Sequence, residues 1–144
     1  MKLISRSSVD FLIDHPGSVL ALCMSQSGGQ VLLVQVARAG QGAALEVPGG
    51  VIEHGESPEA ACFREAREEA GFLVTHAEPL LTLTTSAGIT NELVHIFHCK
   101  GNLVECGEYE SRWLPLADAR ALIRSGRVVT STTAAALLFL AGSA

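Results

Sequence analysis

Arg64, Glu65, Glu68 and Glu69 stand close together, with Glu56 upstream and Gly71 just downstream. On a helix, Glu65, Glu68 and Glu69 fall at i, i+3 and i+4, so their carboxylates project from one side. Like charges packed this way destabilise a helix, and a hard divalent cation compensates them. Mg²⁺ favours carboxylate oxygens and waters, and it leaves coordination sites for phosphate oxygens. Arg64 lies one turn before Glu68 and can hydrogen-bond and orient a carboxylate. For three clustered acids alone, a solvated acidic helix face with an ordinary Arg–Glu pair is the better account. The wider spacing separates the two readings. Gly50, five residues, Glu56, seven residues and then Arg64-Glu65-x-x-Glu68-Glu69-x-Gly71-Phe72 is a set of fixed positions. It is far more specific than a lone glycine motif.

The elements that must position these groups can be read on either side. Ser57 is a good N-cap, Pro58 suits the first helical position and Glu59 suits the positive end of the dipole. Strong helix formers run from Ala60 to Ala70, and Gly71 is placed to end the helix in a left-handed cap. Before it, His15-Pro16-Gly17 is a turn and Ser18 to Ser25 reads as a buried strand. Ser27-Gly28-Gly29 is a hairpin turn into an apolar strand from Gln30 to Val36. Residues 39–43 read as a flexible loop, and Leu45 to Val47 as a short strand stopped by Pro48-Gly49-Gly50. After the helix, Phe72 to Val74, Leu80 to Thr85, Leu93 to Cys99 and Arg112 to Leu114 are strand-like. Leu116 to Arg124, closed by Gly126, and Thr132 to Leu140, capped by Thr130 or Ser131, are two further helices. Strands interleaved with helices indicate a layered α/β or α+β domain, expected to be a single domain over residues 1–144.

The spaced pattern from Gly50 to Phe72 resembles the Nudix box of the Nudix hydrolases at every charged and glycine position. Ala66 is the one departure, standing where that family usually has a larger aliphatic residue. The resemblance implies an α/β/α sandwich around a mixed central sheet. It implies that Glu65, Glu68 and Glu69 hold divalent metal, Mg²⁺ with Mn²⁺ as a substitute, and that Glu56 and Arg64 support them. It points to Gly49 for a backbone carbonyl ligand. The implied chemistry is hydrolysis of a diphosphate linkage by attack at phosphorus. Metal withdraws charge from the phosphate oxygens and helps a water to ionise, and a nearby carboxylate positions that water or takes its proton.

Looser likeness outside the box points to ADP-ribose pyrophosphatases. It is carried by Asp14 to Val19, Val31 to Val34 through Arg38, Glu46 to Gly50, Ser86 to Glu92 and Trp113-Leu114-Pro115-Leu116. The chain differs from that branch at Ala87, at Gln35 and in a shorter N-terminal extension. The implied substrate is a nucleoside diphosphate derivative, ADP-ribose or a related sugar first. Nucleoside triphosphates, dinucleoside polyphosphates and a non-catalytic nucleotide sensor are the alternatives. A sensor is expected to have lost box acids, and Glu56, Glu65, Glu68 and Glu69 are all present. In this branch a glutamate before the last strand assists catalysis. Glu105, Glu108 and Glu110 all qualify, and three exposed loop acids are the plain rival. Arg38 is a candidate for substrate phosphate or a solvent-facing arginine, and Glu92 a substrate ligand or a strand-end acid. The resemblance also suggests a homodimer.

Composition excludes other classes. Hydrophobic residues make up 48% and charged residues 17%, enough for a full core. A net charge of −5 without a Lys or Arg block argues against nucleic acid or anionic membrane as partner. No apolar run is long enough to span a membrane. Cys23, Cys62, Cys99 and Cys106 form no CxxC pair and sit in segments that look like strand or helix interiors. They read as reduced thiols of a cytoplasmic protein. A zinc site from His95, His98, Cys99 and Cys106 is the rival metal centre, but residues three apart on a strand face opposite ways. Tyr109 or Trp113 can stack a base, with core packing the simpler role for Trp113. His54 has no catalytic role.

Overall fold

Val19-Leu20-Ala21-Leu22-Cys23 and Val31-Leu32-Leu33-Val34 are apolar at every position, so a strand built from either needs cover on both faces. The computed structural model describes residues 2–5, 11–128 and 130–140, and it provides that cover. The chain forms β1 (Lys2–Ser5), β2 (Phe11–Asp14), β3 (Ser18–Cys23), β4 (Gln30–Arg38), β5 (Gly42–Glu46) and β6 (Gly49–Val51). Then come α1 (Pro58–Ala70), β7 (Phe72–Thr84), β8 (Leu93–Leu103), β9 (Ser111–Pro115), α2 (Leu116–Arg124) and α3 (Ser131–Phe139).

Four strands pair in the order β6-β3-β8-β7, with β3 and β8 parallel and the other pairs antiparallel. Three pair as β5-β4-β9, all antiparallel. An antiparallel bridge from Met24 to Val31 joins the two sheets where β3 turns into β4. β1 and β2 form a separate antiparallel pair. Alternation sends Val19, Ala21, Cys23, Leu32 and Val34 to one face, against Ala61, Cys62, Ala66 and Ala70 of α1. Leu20, Leu22, Val31 and Leu33 go to the other face, against Ala119 of α2 and Ala136 and Leu137 of α3. The result is the expected α/β/α sandwich with a mixed sheet. Ala66 is fully buried, so the smaller residue sits on the face by which α1 lies on the sheet. No helix among the described residues is long and apolar enough to cross a membrane.

Several elements differ from the sequence reading. The two segments expected around residues 72–85 are one strand, Phe72–Thr84, whose pairing shifts between Val74 and His76 and between Pro79 and Leu81. Bulges of this kind accommodate a proline inside a ladder, which a plain pattern search reads as a break. The loop expected at residues 39–43 is a tight hairpin whose second strand already begins at Gly42. Strands β1, β2 and β6 are short; β1 and β2 pair with each other, and β6 depends on β3, distant in sequence. Cys106 lies in an exposed loop rather than an element interior, and all four cysteines are free.

The helix α1 is closed at both ends as its residues require. The Ser57 hydroxyl accepts from the Ala60 N–H at 3.1 Å, and Gly71 ends the helix at φ 68°. The chain after β8 then folds over that end. Val104 N–H donates to the Gly71 carbonyl at 3.0 Å, Glu108 N–H to that of Glu68 at 2.8 Å and Tyr109 N–H to that of Glu69 at 3.0 Å. Last-turn carbonyls that would lack partners are thereby satisfied. A Cβ on Gly71 would collide with the Glu105 backbone. Gly71→Ala is therefore expected to lose about 2 kcal/mol, lowering the thermal midpoint by ~6 °C. An unchanged melting curve would show that the cap does not anchor this loop.

Candidate functional site

One edge of α1 carries Arg64, Glu65, Glu68 and Glu69, and the loop from Gly49 to Glu56 runs alongside it. Arg64 joins the two. Its Nε donates to Glu56 Oε1 at 2.9 Å and its Nη2 to Glu56 Oε2 at 2.9 Å and to the Val51 carbonyl at 3.0 Å. Its Nη1 donates to Glu65 at 2.6 Å and Glu68 at 3.2 Å. The loop closes on itself through Glu53 N–H to Glu56 Oε2 and Glu56 N–H to the Glu53 carbonyl, both at 3.0 Å. The loop leaves no room for side chains: a Cβ on Gly49 would collide with the Val19 carbonyl, and one on Gly50 would push the Glu65 carboxylate aside. The Gly49 N–H donates to Glu69 Oε2 at 2.9 Å.

Burial and neighbouring charge set the protonation of these acids differently. The Arg64 hydrogen bonds hold Glu56 below the usual carboxylate range. Burial raises Glu65 despite Arg64 beside it. Glu69 is pushed up to about 7, chiefly by burial; the Gly49 N–H opposes the shift, and the charges of Glu65, Glu108 and Glu46 add to it. Glu68 stays open to solvent, its side chain 56% exposed against 12% for Glu65.

Next to Gly49 and Gly50 opens a cleft of about 450 Å³, lined also by Ser18, Arg38, Glu46, Thr85, Glu92 and the hydroxyl run Thr130 to Thr133. Arg38 and Glu92, far apart in sequence, thus share a cleft wall. The Ser18 and Thr85 hydroxyls each donate to Glu92 at 2.7 Å. Burial pushes Glu92 up, but these two bonds and His15 together hold it below its ordinary value. Arg38 donates from Nε and Nη2 to the two oxygens of Glu46, at 2.8 and 2.5 Å.

The three loop glutamates part company. Glu105 accepts from Arg67 Nε at 2.8 Å, and Glu110 pairs with Arg112 at 3.3 Å. The charge of Glu108 is the one of the three that acts on Glu69. Trp113 packs edge-on against Phe72, with ring centroids 6.1 Å apart, and Tyr109 lies against the same core. His54 is exposed. The rival zinc set is scattered: Cys106 is exposed, Cys99 Sγ lies 3.4 Å from Cys62 Sγ in the core, and His95 Nδ1 is 3.1 Å from the Thr82 hydroxyl. Sequence reasoning missed Glu46, Ser18, Thr85 and the run from Thr130 to Thr133. For Glu46 a signal existed: a carboxylate inside the apolar stretch Leu45-Glu46-Val47.

Among the described residues no three His, Cys, Asp or Glu side chains already converge as metal ligands. Here Glu65 and Glu68 turn to Arg64, and Glu69 turns to the Gly49 N–H. The donor set nonetheless fits a hard divalent ion. It is all carboxylate oxygen, and burial, with the charges of Glu65, Glu108 and Glu46 adding to it, lets Glu69 hold a proton near neutrality.

The family described as NUDIX domain matches residues 14–131. The chain is 43% identical over 103 residues to a CMP-5'-(N-acetyl-N-hydroxy-3-aminopropyl)phosphonate hydrolase of Streptomyces rubellomurinus, covering 67% of this chain and 50% of that one. It is 30% identical over 137 residues to an ADP-ribose pyrophosphatase of Bacillus subtilis, covering 90% and 74%. To a GDP-mannose pyrophosphatase of Citrobacter koseri it is 32% identical over 111 residues, covering 71% and 58%. The chain thus spans half the length of the first of these relatives and about three quarters of the second.

A carboxyl raised from 4.5 to about 7 holds its proton more tightly in the folded state. The stability this contributes is full below the unfolded value and is lost as pH rises through about 7. Glu69→Gln, without added metal at pH 8, is expected to be more stable than the parent by ~1–2 kcal/mol after allowance for solvent screening. Its thermal midpoint should rise by ~4 °C. At pH 4, below the unfolded value of 4.5, the two melting curves should coincide. A variant less stable at pH 8 would contradict the burial of an uncompensated charge.

Proposed function

The chain belongs to the NUDIX family, and from that premise we propose that it hydrolyses the diphosphate linkage of a nucleoside diphosphate derivative. ADP-ribose or a related nucleoside diphosphate sugar is the leading substrate, and Mg²⁺ the leading ion. The observation that carries this reading is the acidic edge of α1, backed by the glycine loop and adjoining a cleft that holds both Arg38 and Glu92.

Glu65, Glu68 and Glu69 would hold the ion, with the Gly49 carbonyl as a further ligand and Glu56 and Arg64 as their supports. When bound, a divalent cation draws charge from the diphosphate oxygens and makes a water easier to ionise. Arg64 keeps the Glu56, Glu65 and Glu68 carboxylates close to the loop, and holding an ion would require Glu65 and Glu68 to turn from Arg64, and Glu69 from the Gly49 N–H, toward it. Glu108, whose charge already acts on Glu69, is the leading group to position the attacking water or take its proton. Glu105 is tied to Arg67 and is the weaker candidate. Arg38 offers N–H groups to a phosphate, and Glu92 can accept from a substrate hydroxyl. Attack at phosphorus then releases two phosphate-bearing products.

The 43% identity to a phosphonate hydrolase favours a phosphate–phosphonate anhydride as a second substrate. A panel of ADP-ribose, GDP-mannose, a CMP-linked phosphonate, a nucleoside triphosphate and a dinucleoside polyphosphate, with Mg²⁺ and products weighed by mass spectrometry, separates these. ADP-ribose is expected to yield AMP and ribose 5-phosphate. Glu69→Gln is expected to lose at least ~100-fold in kcat while remaining folded. If no member of the panel turns over, the proposed reaction is wrong.

A further inference from the structure

Glu46 has no role in the reading above, yet it is buried at 5% exposure on the wall of the same cleft. The register of the β4–β5 hairpin places it opposite Val34, and places Arg38 opposite Gly42. Paired residues share a face, and so do residues two or four apart on a strand. Glu46 and Arg38 therefore face the same layer as α1, separated along the hairpin by the Val36–Ala44 pair. Arg38 reaches back to bond both carboxylate oxygens from Nε and Nη2. No other hydrogen bond of its side chain occurs among the described residues, so Nη1 and the second Nη2 hydrogen are left to donate.

We propose that Glu46 is a positioning residue that fixes the Arg38 guanidinium on the cleft wall, with its unused N–H groups presented to a substrate phosphate. The inference rests on the cleft being the diphosphate site. Stability alone gives a weak reason for this pair, since burying a carboxylate is costly and an apolar contact serves a hairpin as well. Arg38 is half-exposed and long, and a free arginine would lose much rotamer freedom on gripping a ligand. The two-point anchor settles that loss before the ligand arrives, and the planar fork fixes the direction of the remaining donors.

Calorimetric binding of α,β-methylene ADP, together with steady-state kinetics, tests the role. Glu46→Gln and Arg38→Ala are each expected to weaken binding and raise KM by ~10-fold, with kcat changing less than ~3-fold. The double variant should bind no more weakly than Arg38→Ala alone, because the two residues act as one device. Wild-type affinity in Glu46→Gln, or losses that multiply in the double variant, would overturn the proposal. Should Glu46→Gln fail to fold, Arg38→Lys carries the test. It keeps the charge without the fork, so it is expected to bind as weakly as Arg38→Ala, and wild-type affinity there refutes the idea. If the parent protein neither binds the analogue nor turns over any diphosphate, the proposed reaction and this role fall together. If it does both and the variants match it, the role of Glu46 alone is wrong.

Discussion

One guanidinium lies among three carboxylates on the edge of α1, and the surrounding architecture follows from keeping it there. Arg64 bonds Glu56, Glu65 and Glu68 and also the Val51 carbonyl, so a helix and the loop preceding it become one rigid body. It does not reach Glu69, which burial dominates. Glu69 is left with a backbone N–H as its hydrogen-bond donor, and it holds a proton near neutrality. A protein selected for stability alone would replace such a residue with a neutral one. Retaining it makes sense where a cation is to be received.

The constraint spreads outward through backbone rather than through side chains. Gly49 must lack a Cβ because the Val19 carbonyl occupies that space, and Gly71 must lack one because the chain at Glu105 crosses it. Gly107 is pinned in the same way against the Glu69 carbonyl. The loop that carries Glu108 is therefore held by the same helix end that carries Glu68 and Glu69. Close approach of backbones here fixes how deeply each acid is buried and which donors reach it, and burial leads for Glu65 and Glu69 while Arg64 leads for Glu56.

The cleft draws on different layers. Arg38 and Glu46 come from the β4–β5 hairpin, Ser18 from β3, Thr85 and Glu92 from either side of the β7–β8 turn, and Thr130 to Thr133 from the start of α3. Thr133 ties its part to the rest, its buried hydroxyl accepting from the Val47 N–H at 3.2 Å. Apart from Arg38, the described lining is hydroxyl, carboxylate and small apolar groups.

Local chemistry was enough to read α1, because its cap, its periodicity and the spacing of its acids all lie within a few residues of one another. The strands β3 and β4 were legible for a related reason: apolar runs of that length need two covered faces. Short strands such as β6, and the unbroken β7 with Pro79 inside it, were not, since their pairing partners lie far along the chain and bulges hide the period. Among Glu105, Glu108 and Glu110 the sequence offered no choice. Which carboxylate feels Glu69 and which is absorbed by Arg67 or Arg112 depends on the path of a loop across a helix end. Glu46 stayed hidden because its partner Arg38 lies across a hairpin, and its burial appears when the layers close. Residue types and spacing determined what chemistry this chain can attempt; folding alone decided which groups meet, because burial and distance set the strength of every charge.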